Sequence, residues 1–309
     1  MSTSVDSDTA VPPAIETRAL TKYYGTVRGI EAVDLVVEQG EVFGFLGPNG
    51  AGKTTTIRTL LDFHRPTSGT ATVLGLDSRV DYVEIHCRTG YLPGDLELYD
   101  RLTGRALTNW LARLRGTEDL SERDSLAERF RLDLDRPIRD LSKGNRQKVG
   151  VVQAFMHMPE LYMLDEPTGG LDPLMQEEFR VLLREVVGRG ATVFLSSHSL
   201  DEVERAADRV GVIRDGRMII VDSVKALRAR AKRHVVMRFT EAVDRAEFAN
   251  LPEVTDVTAT DQELRMTVSG SLDAVVKTAS RHTVVDFVSQ PADLEEIFID
   301  VYRASGENV

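Results

Sequence analysis

An α/β domain with a mainly parallel sheet, followed by a small α+β domain, is the fold class predicted by this 309-residue sequence. Three observations predict it. The segment Gly47-Pro48-Asn49-Gly50-Ala51-Gly52-Lys53-Thr54-Thr55 follows the apolar run Val42 to Leu46, as a strand feeding a phosphate-gripping loop and then a helix. Short apolar runs alternate with helical patterns as far as about residue 225, which is the rhythm of a parallel sheet. Beyond residue 233 the order becomes β-α-β-β-α-β, the pattern of a ferredoxin-like split unit.

Taken in order, Met1 to Ala14 is rich in Ser, Asp, Thr and Pro, lacks the basic-then-apolar pattern of a signal peptide, and is expected to be a disordered tail of a cytoplasmic protein. Apolar alternation at Ile15 to Leu20 and Ile30 to Val37, turned by Gly25 and Gly40, predicts strands ahead of the phosphate loop. A helix is expected from Lys53 to about Phe63, then a strand near Thr70 to Leu74. Helical patterns at Leu102 to Arg115 and Ser121 to Phe130, and a helix opening within Leu141 to Asn145, make residues 95–155 a candidate inserted helical subdomain. The alternation resumes with strand Leu161 to Leu164, a helix from about Pro173 to Val187, strand Thr192 to Leu195 and a helix from Leu200. The first domain is thus bounded at 15–225, a linker at 226–233 and the second domain at 234–309. In the second domain Val235 to Phe239, Val254 to Val257, Leu264 to Val268 and Val284 to Val288 read as strands, with helices at Ala242 to Ala249 and Leu272 to Ala279. An amphipathic helix, Ala292 to Tyr302, is expected to close the chain. This domain carries no nucleophile-base pairing or metal-ligand spacing, so its expected role is structural or regulatory.

Composition narrows the function classes. With 42% hydrophobic and 28% charged residues the chain reads as soluble and globular, and no window approaches the roughly twenty apolar residues of a membrane span. The lone Cys87 excludes an internal disulfide and a cysteine-rich metal site. Net charge is −11, of which residues 234–309 carry −8, so no nucleic-acid partner is expected, since phosphate contact relies on Lys and Arg. The one basic run, Lys225, Arg228, Arg230, Lys232 and Arg233, reads as a solvated linker helix, with contact to anionic lipid or a partner as the alternative.

The phosphate loop needs its residue types. Glycines let backbone NH groups turn toward a polyphosphate, Lys53 places a cation beside the β- and γ-phosphates, and the Thr54 hydroxyl is suited to Mg²⁺. The helix that begins there turns its positive end to the same phosphates. Chance would place such a pattern in a chain of this length on the order of one time in a hundred. Leu161-Tyr162-Met163-Leu164-Asp165-Glu166 is an apolar strand ending in two acids; one can support a metal and the other orient or deprotonate an attacking water. Strand alternation would point the two carboxylates to different places, with Asp165 supporting the metal and Glu166 acting as general base. Ser142, in Leu141-Ser142-Lys143-Gly144-Asn145, caps a second helix N-terminus, a second anion-binding device that a single γ-phosphate in one chain hardly needs.

Together these motifs, over roughly residues 15–225, resemble those of ATP-binding cassette (ABC) ATPases, the nucleotide-binding subunits of membrane transporters. The resemblance implies a P-loop NTPase domain of ABC type with a β-rich N-terminal part and a helical subdomain. It implies that ATP is sandwiched between the phosphate loop of one subunit and the signature loop of another, here Ser142, Gly144 and Asn145. Leu171 and Asp172 match the loop that communicates between the two sites, His198 the histidine that contacts the γ-phosphate, and Tyr24 the aromatic that stacks on adenine. The implied partners are a second copy and an integral-membrane permease, the implied cofactors ATP and Mg²⁺, and the implied location the cytoplasmic face of the membrane.

Two positions depart from the family pattern. Gly94 stands where a glutamine usually touches Mg²⁺, leaving the gap to water or to the neighbouring Asp95, and Lys143 stands in the signature where glycine is usual. Leu96, Leu98 and Tyr99 are candidates to receive a cytoplasmic helix of the permease, against ordinary packing within the helical insert. A single cassette with an extra C-terminal domain resembles the drug-resistance branch of bacterial exporters. The expected function is therefore the ATPase motor of an exporter, with a soluble ABC ATPase uncoupled from transport as the alternative.

Overall fold

The structure, a computed structural model, describes residues 11–230 and 232–291. Its contacts cluster into two units, one ending at Val221 and one beginning at Asp222.

The first unit opens with β1 (Ile15–Tyr24) and β2 (Val27–Val37), an antiparallel pair whose turn passes through Gly25 at φ +61°. Next come β3 (Val42–Leu46), α1 (Lys53–Leu60), β4 (Ser68–Val73), β5 (Leu76–Asp77), α2 (Tyr82–Arg88) and β6 (Thr89–Leu92). Residues 95–155 hold α3 (Gly104–Arg115), α4 (Ser121–Arg129), a short 3₁₀ turn and α5 (Lys143–Phe155). The alternation then runs β7 (Leu161–Asp165), α6 (Pro173–Gly188), β8 (Thr192–Ser197), α7 (Leu200–Ala206), β9 (Arg209–Arg214) and β10 (Arg217–Ser223). The β9–β10 hairpin is an addition to the elements expected. Its turn signal, Asp215-Gly216 with both φ positive at 48° and 78°, is that of a two-residue hairpin and stands openly in the sequence.

Two sheets result. One has the order β2-β1-β4-β5; the other is six-stranded, β10-β9-β3-β8-β7-β6, with β9, β3, β8, β7 and β6 paired in parallel. Every residue of β3, β7 and β8 is buried, as expected of parallel strands covered on both faces. The main core lies between the sheets and around α1. It joins Ile15, Ile30 and Val37 of the antiparallel sheet to Phe45, Met163 and Phe194 of the parallel one, with Ile57 and Leu60 of α1 between. Each such large side chain contributes about 1.5–3 kcal/mol by leaving water. On the far face Phe155 of α5 stacks on Tyr162 at 4.3 Å and meets Phe179 of α6, which brings the α5 helix onto β7.

In the second unit α8 (Val224–Arg230) precedes β11 (Lys232–Phe239), α9 (Arg245–Ala249), β12 (Val254–Thr260), β13 (Glu263–Ser269), α10 (Asp273–Ala279) and β14 (Val284–Pro291). The pairing is antiparallel in the order β12-β13-β11-β14, the ferredoxin-like arrangement, and Val235, Met237 and Phe239 alternate inward against Phe248 and Val275. Residues 226–233 are not a free linker. Of these, 226–230 fall in α8 and 232–233 in the start of β11, with Val224 and Leu227 forming an apolar i, i+3 pair that is buried. The closing helix expected at Ala292 to Tyr302 lies outside the described residues.

Close approach of β6 to the end of α5 depends on Gly90, where an added Cβ would lie 2.2 Å from the Ala154 carbonyl oxygen and 2.9 Å from Pro159. Because the obstacle is backbone, Gly90→Ala is expected to cost about 1–3 kcal/mol. A lowered urea midpoint at unchanged slope checks this; an unaltered midpoint would refute the packing argument.

Candidate nucleotide site

Parallel pairing brings the site together. Leu46 pairs with Ser197 and Asp165 with Ser196, so β3, β8 and β7 end at one edge, and the phosphate loop, Glu166 and His198 leave the sheet side by side. Ligands bind outside the carboxyl ends of such strands. The Gly47 NH donates to the Ser197 carbonyl at 3.2 Å, tying the loop to the strand that delivers His198.

Within the loop two glycines are required for different reasons. Gly50 has φ +80° with open space where a Cβ would stand, and Gly52, at φ +110°, lies so close to Ile30 and the Gly29 carbonyl that a side chain would collide. Pro48, Asn49 and Ala51 complete the turn, with the Ala51 NH bonded to the Pro48 carbonyl at 3.1 Å. Gly52 caps α1 with no side chain, and no acid stands in the first turn, so the helix presents a positive end over Lys53, Thr54 and Thr55. Lys53 is buried, 6% exposed, and folds back on its own loop: Nζ donates to the carbonyls of Gly47 at 2.7 Å and Pro48 at 3.2 Å and pairs with Glu166 Oε1 at 3.2 Å.

Asp165 is fully buried; its Oδ2 accepts from the Thr54 hydroxyl at 2.7 Å and its Oδ1 from the Ser196 hydroxyl. Glu166 lies one residue beyond β7 at φ +49°, a left-handed conformation uncommon for a non-glycine residue. That turn, rather than strand alternation, sends the two carboxylates apart, which corrects the expectation from sequence. The Glu166 NH is held by the Ser196 carbonyl at 3.1 Å, and Oε2 meets His198 Nδ1 at 2.7 Å. His198 is exposed beside it. Behind this pair Ser197 donates to Glu202 at 2.5 Å, and burial pushes the Glu202 carboxyl above its ordinary range.

The remaining sequence candidates lie elsewhere. Ser142 caps α5, accepting from the Asn145 NH at 3.3 Å, and Asp172 caps α6, accepting from the Met175 NH at 3.0 Å. Gly144 lies so close to Gly170 that a Cβ would stand 2.5 Å from its carbonyl oxygen, and the Lys143 stem also rests on Gly170. Ser142 to Asn145 and Gly170 to Asp172 therefore form a second cluster. Among the described residues no hydrogen bond or ion pair joins Ser142 to Lys53, Glu166 or His198. One buried link spans the two clusters: Gln147 donates to the Pro167 carbonyl at 2.8 Å. Tyr24 stands apart at the end of β1, exposed, with its hydroxyl on His64.

Gly94 faces Asp165, an added Cβ lying 3.2 Å from Oδ2. Asp95 is exposed, and the Asp165 carboxylate that Gly94 faces accepts from the Thr54 and Ser196 hydroxyls. Leu96 packs into the space left by Gly150 of α5, whereas Tyr99 is exposed against Trp110. Ser196, Gln147, Glu202 and His64 are the site residues that sequence reading missed. Only Ser196 carried a local signal, as a hydroxyl directly after the apolar run Val193 to Leu195 of β8.

The ABC transporter family profile matches residues 30–169. The bacitracin transport ATP-binding protein BcrA of Bacillus licheniformis is 35% identical over 74% of this chain and 75% of its own length. The daunorubicin/doxorubicin resistance ATP-binding protein DrrA of Streptomyces peucetius is 36% identical over 77% of this chain and 74% of its own length. A solved ATP-binding subunit of an ABC transporter, 31% identical, superposes with a TM-score of 0.65 over 70% of this chain and 92% of its own. A dimeric bacterial ABC cassette, 20% identical with a TM-score of 0.63 over 68% of this chain and 98% of its own, shares the fold. Relatives this similar over most of their own length, with a phosphate loop and acid-tipped strand joined at one sheet edge, show that the chain belongs to the ABC transporter family, as one of its ATP-binding subunits.

Proposed function

We propose that two copies of this chain close head to tail around ATP and that hydrolysis drives export through a separate integral-membrane permease, at the cytoplasmic face of the membrane. The observation that carries this reading is the separation of the two clusters. Lys53, Glu166 and His198 are assembled at one edge, while the capped start of α5 at Ser142, exposed, points its NH groups at no group of its own chain's phosphate loop. Each chain thus offers two halves that a second copy, facing the other way, can complete.

In this reading the Lys53 ammonium exchanges its loop carbonyls for the β- and γ-phosphate oxygens, and Tyr24 takes the adenine. Glu166 orients a water and accepts its proton as the oxygen attacks the γ-phosphorus and the bond to the β-phosphate breaks. His198 holds the Glu166 carboxylate and faces the γ-phosphate. Ser142, Gly144 and Asn145 of the second copy supply donors to the charge that develops there, and Leu171 and Asp172 lie where the two sites adjoin. Thr54 and Asp165, hard oxygen groups in direct contact, fit a magnesium ion. Bound there, Mg²⁺ would neutralise phosphate charge and polarise the phosphoryl group.

No helix among the described residues is long and apolar enough to cross a membrane. An exposed aromatic pair supports the permease as partner: Tyr99, 60% exposed, meets Trp110 of α3 edge-on at 5.8 Å, with exposed Leu114 one turn further along the helix. The relatives named for bacitracin transport and daunorubicin/doxorubicin resistance support a drug or antibiotic as cargo.

Glu166→Gln is expected to lower turnover about 10²–10⁴-fold while ATP accumulates a stable dimer by gel filtration. Near-normal turnover would overturn the general-base assignment. Trp110→Ala is expected to weaken association with the permease in detergent about tenfold and to leave the ATPase rate of the isolated subunit unchanged. Equal association, or an equal loss of basal rate, would remove α3 as the docking face.

A further inference from the structure

Tyr24 is held by more than its own strand. Its hydroxyl lies 2.5 Å from His64 Nδ1, and the two rings meet edge to face at 5.4 Å and 84°. Lys22 Nζ stands 5.2 Å from the Tyr24 ring centroid and donates to the Arg65 carbonyl at 2.8 Å. A Cβ at Gly29 would lie 2.9 Å from Tyr24 Cε2 and 3.0 Å from the Thr55 methyl, so the ring edge and the phosphate-loop helix both crowd Gly29, where no side chain fits. The His64 NH in turn donates to the Arg58 carbonyl in the last turn of α1. Ring, histidine and phosphate-loop helix are therefore one assembly, although Tyr24 is 42% exposed.

We propose that His64 is a positioning residue for base recognition, holding the Tyr24 ring as the platform for adenine in register with the phosphate loop. The proposal rests on the reading of Tyr24 as the adenine-stacking residue. A tyrosine at a hairpin end turns freely about χ1, and a base gains from stacking only if the ring waits in place. Burial, with the nearby Arg58 and Lys22 cations, keeps His64 below its ordinary pKa and favours the neutral imidazole, whose Nδ1 shares one hydrogen bond with the Tyr24 hydroxyl and accepts its O–H in the Nε2–H tautomer. The Lys22 ammonium over the ring adds a cation–π attraction that favours this placement of the ring.

The test compares binding of ATP with binding of inorganic tripolyphosphate, which engages the phosphate loop without a base, in the full chain. His64→Ala is expected to weaken ATP roughly 2- to 10-fold, the range of one ordinary hydrogen bond, and to leave tripolyphosphate unchanged. In turnover the same factor is expected in KM with kcat unchanged. Tyr24→Phe, which keeps the ring and removes the hydroxyl, should match it, and the double variant should add nothing further. His64→Gln, which retains an acceptor, should restore part of the loss. Equal weakening of both ligands would overturn the proposal in favour of a general effect on the loop, and additive losses would show that the two side chains act separately. If Tyr24→Ala weakens ATP selectively and His64→Ala does not, the stacking reading survives and the role of His64 fails. If Tyr24→Ala leaves ATP binding intact, the stacking reading and the proposal fall together.

Discussion

A carboxylate with no exposure to solvent organises this site. Burying the Asp165 charge would cost several kcal/mol if it stood alone, and the structure offsets this with hydroxyl donors from two different elements, Thr54 of α1 and Ser196 of β8. Those bonds fix three pieces relative to one another: the helix that follows the phosphate loop, the strand that leads into His198, and the strand that leads into Glu166. The left-handed turn at Glu166 is tolerable because Ser196 also holds its NH. One buried acid thus sets the geometry of groups drawn from three distant parts of the sequence.

The charges at the sheet edge are satisfied among themselves. Lys53 pairs with its own loop and with Glu166, and Glu166 with His198. In the proposed reading a triphosphate would replace the Lys53 contacts to its loop carbonyls while the Glu166–His198 pair is kept, so substrate would enter by exchange of partners at Lys53. Gln147 carries the same logic into the helical insert, because its bond to Pro167 anchors the first turns of α5 beside the turn that holds Glu166. Through that bond the start of α5 and the turn at Glu166 are mechanically joined.

Much of this was legible in the sequence where chemistry and pattern coincide. The phosphate loop, the acid-tipped apolar strand and the Ser142 cap each need particular residue types at fixed spacing, and each lies where the spacing placed it. The α/β rhythm gave the parallel sheet, and β-α-β-β-α-β gave the antiparallel order of the second unit. What escaped depends on tertiary contact. Nothing near His64 announces that it meets a tyrosine forty positions earlier, and Gln147 looks like any helical glutamine until its buried carbonyl partner is seen. The short α2, between a two-residue strand and β6, buries a single helix residue, Ile85, too weak a pattern for periodicity to find. Glu166 misled for a different reason: strand alternation was the wrong local rule at a position already past the strand.

The account stands on the site being completed across two copies, and mixed dimers test that directly. A subunit carrying Ser142→Arg and one carrying Glu166→Gln, each inactive with itself, are given different tags, co-expressed and purified as the mixed dimer. Assembly in trans puts both defects in one of the two sites and leaves the other with an intact phosphate loop, an intact Glu166 and an intact Ser142, so ATPase activity should return far above either parent. Activity no higher than the parents would contradict the account, since sites built within single chains would each keep one defect.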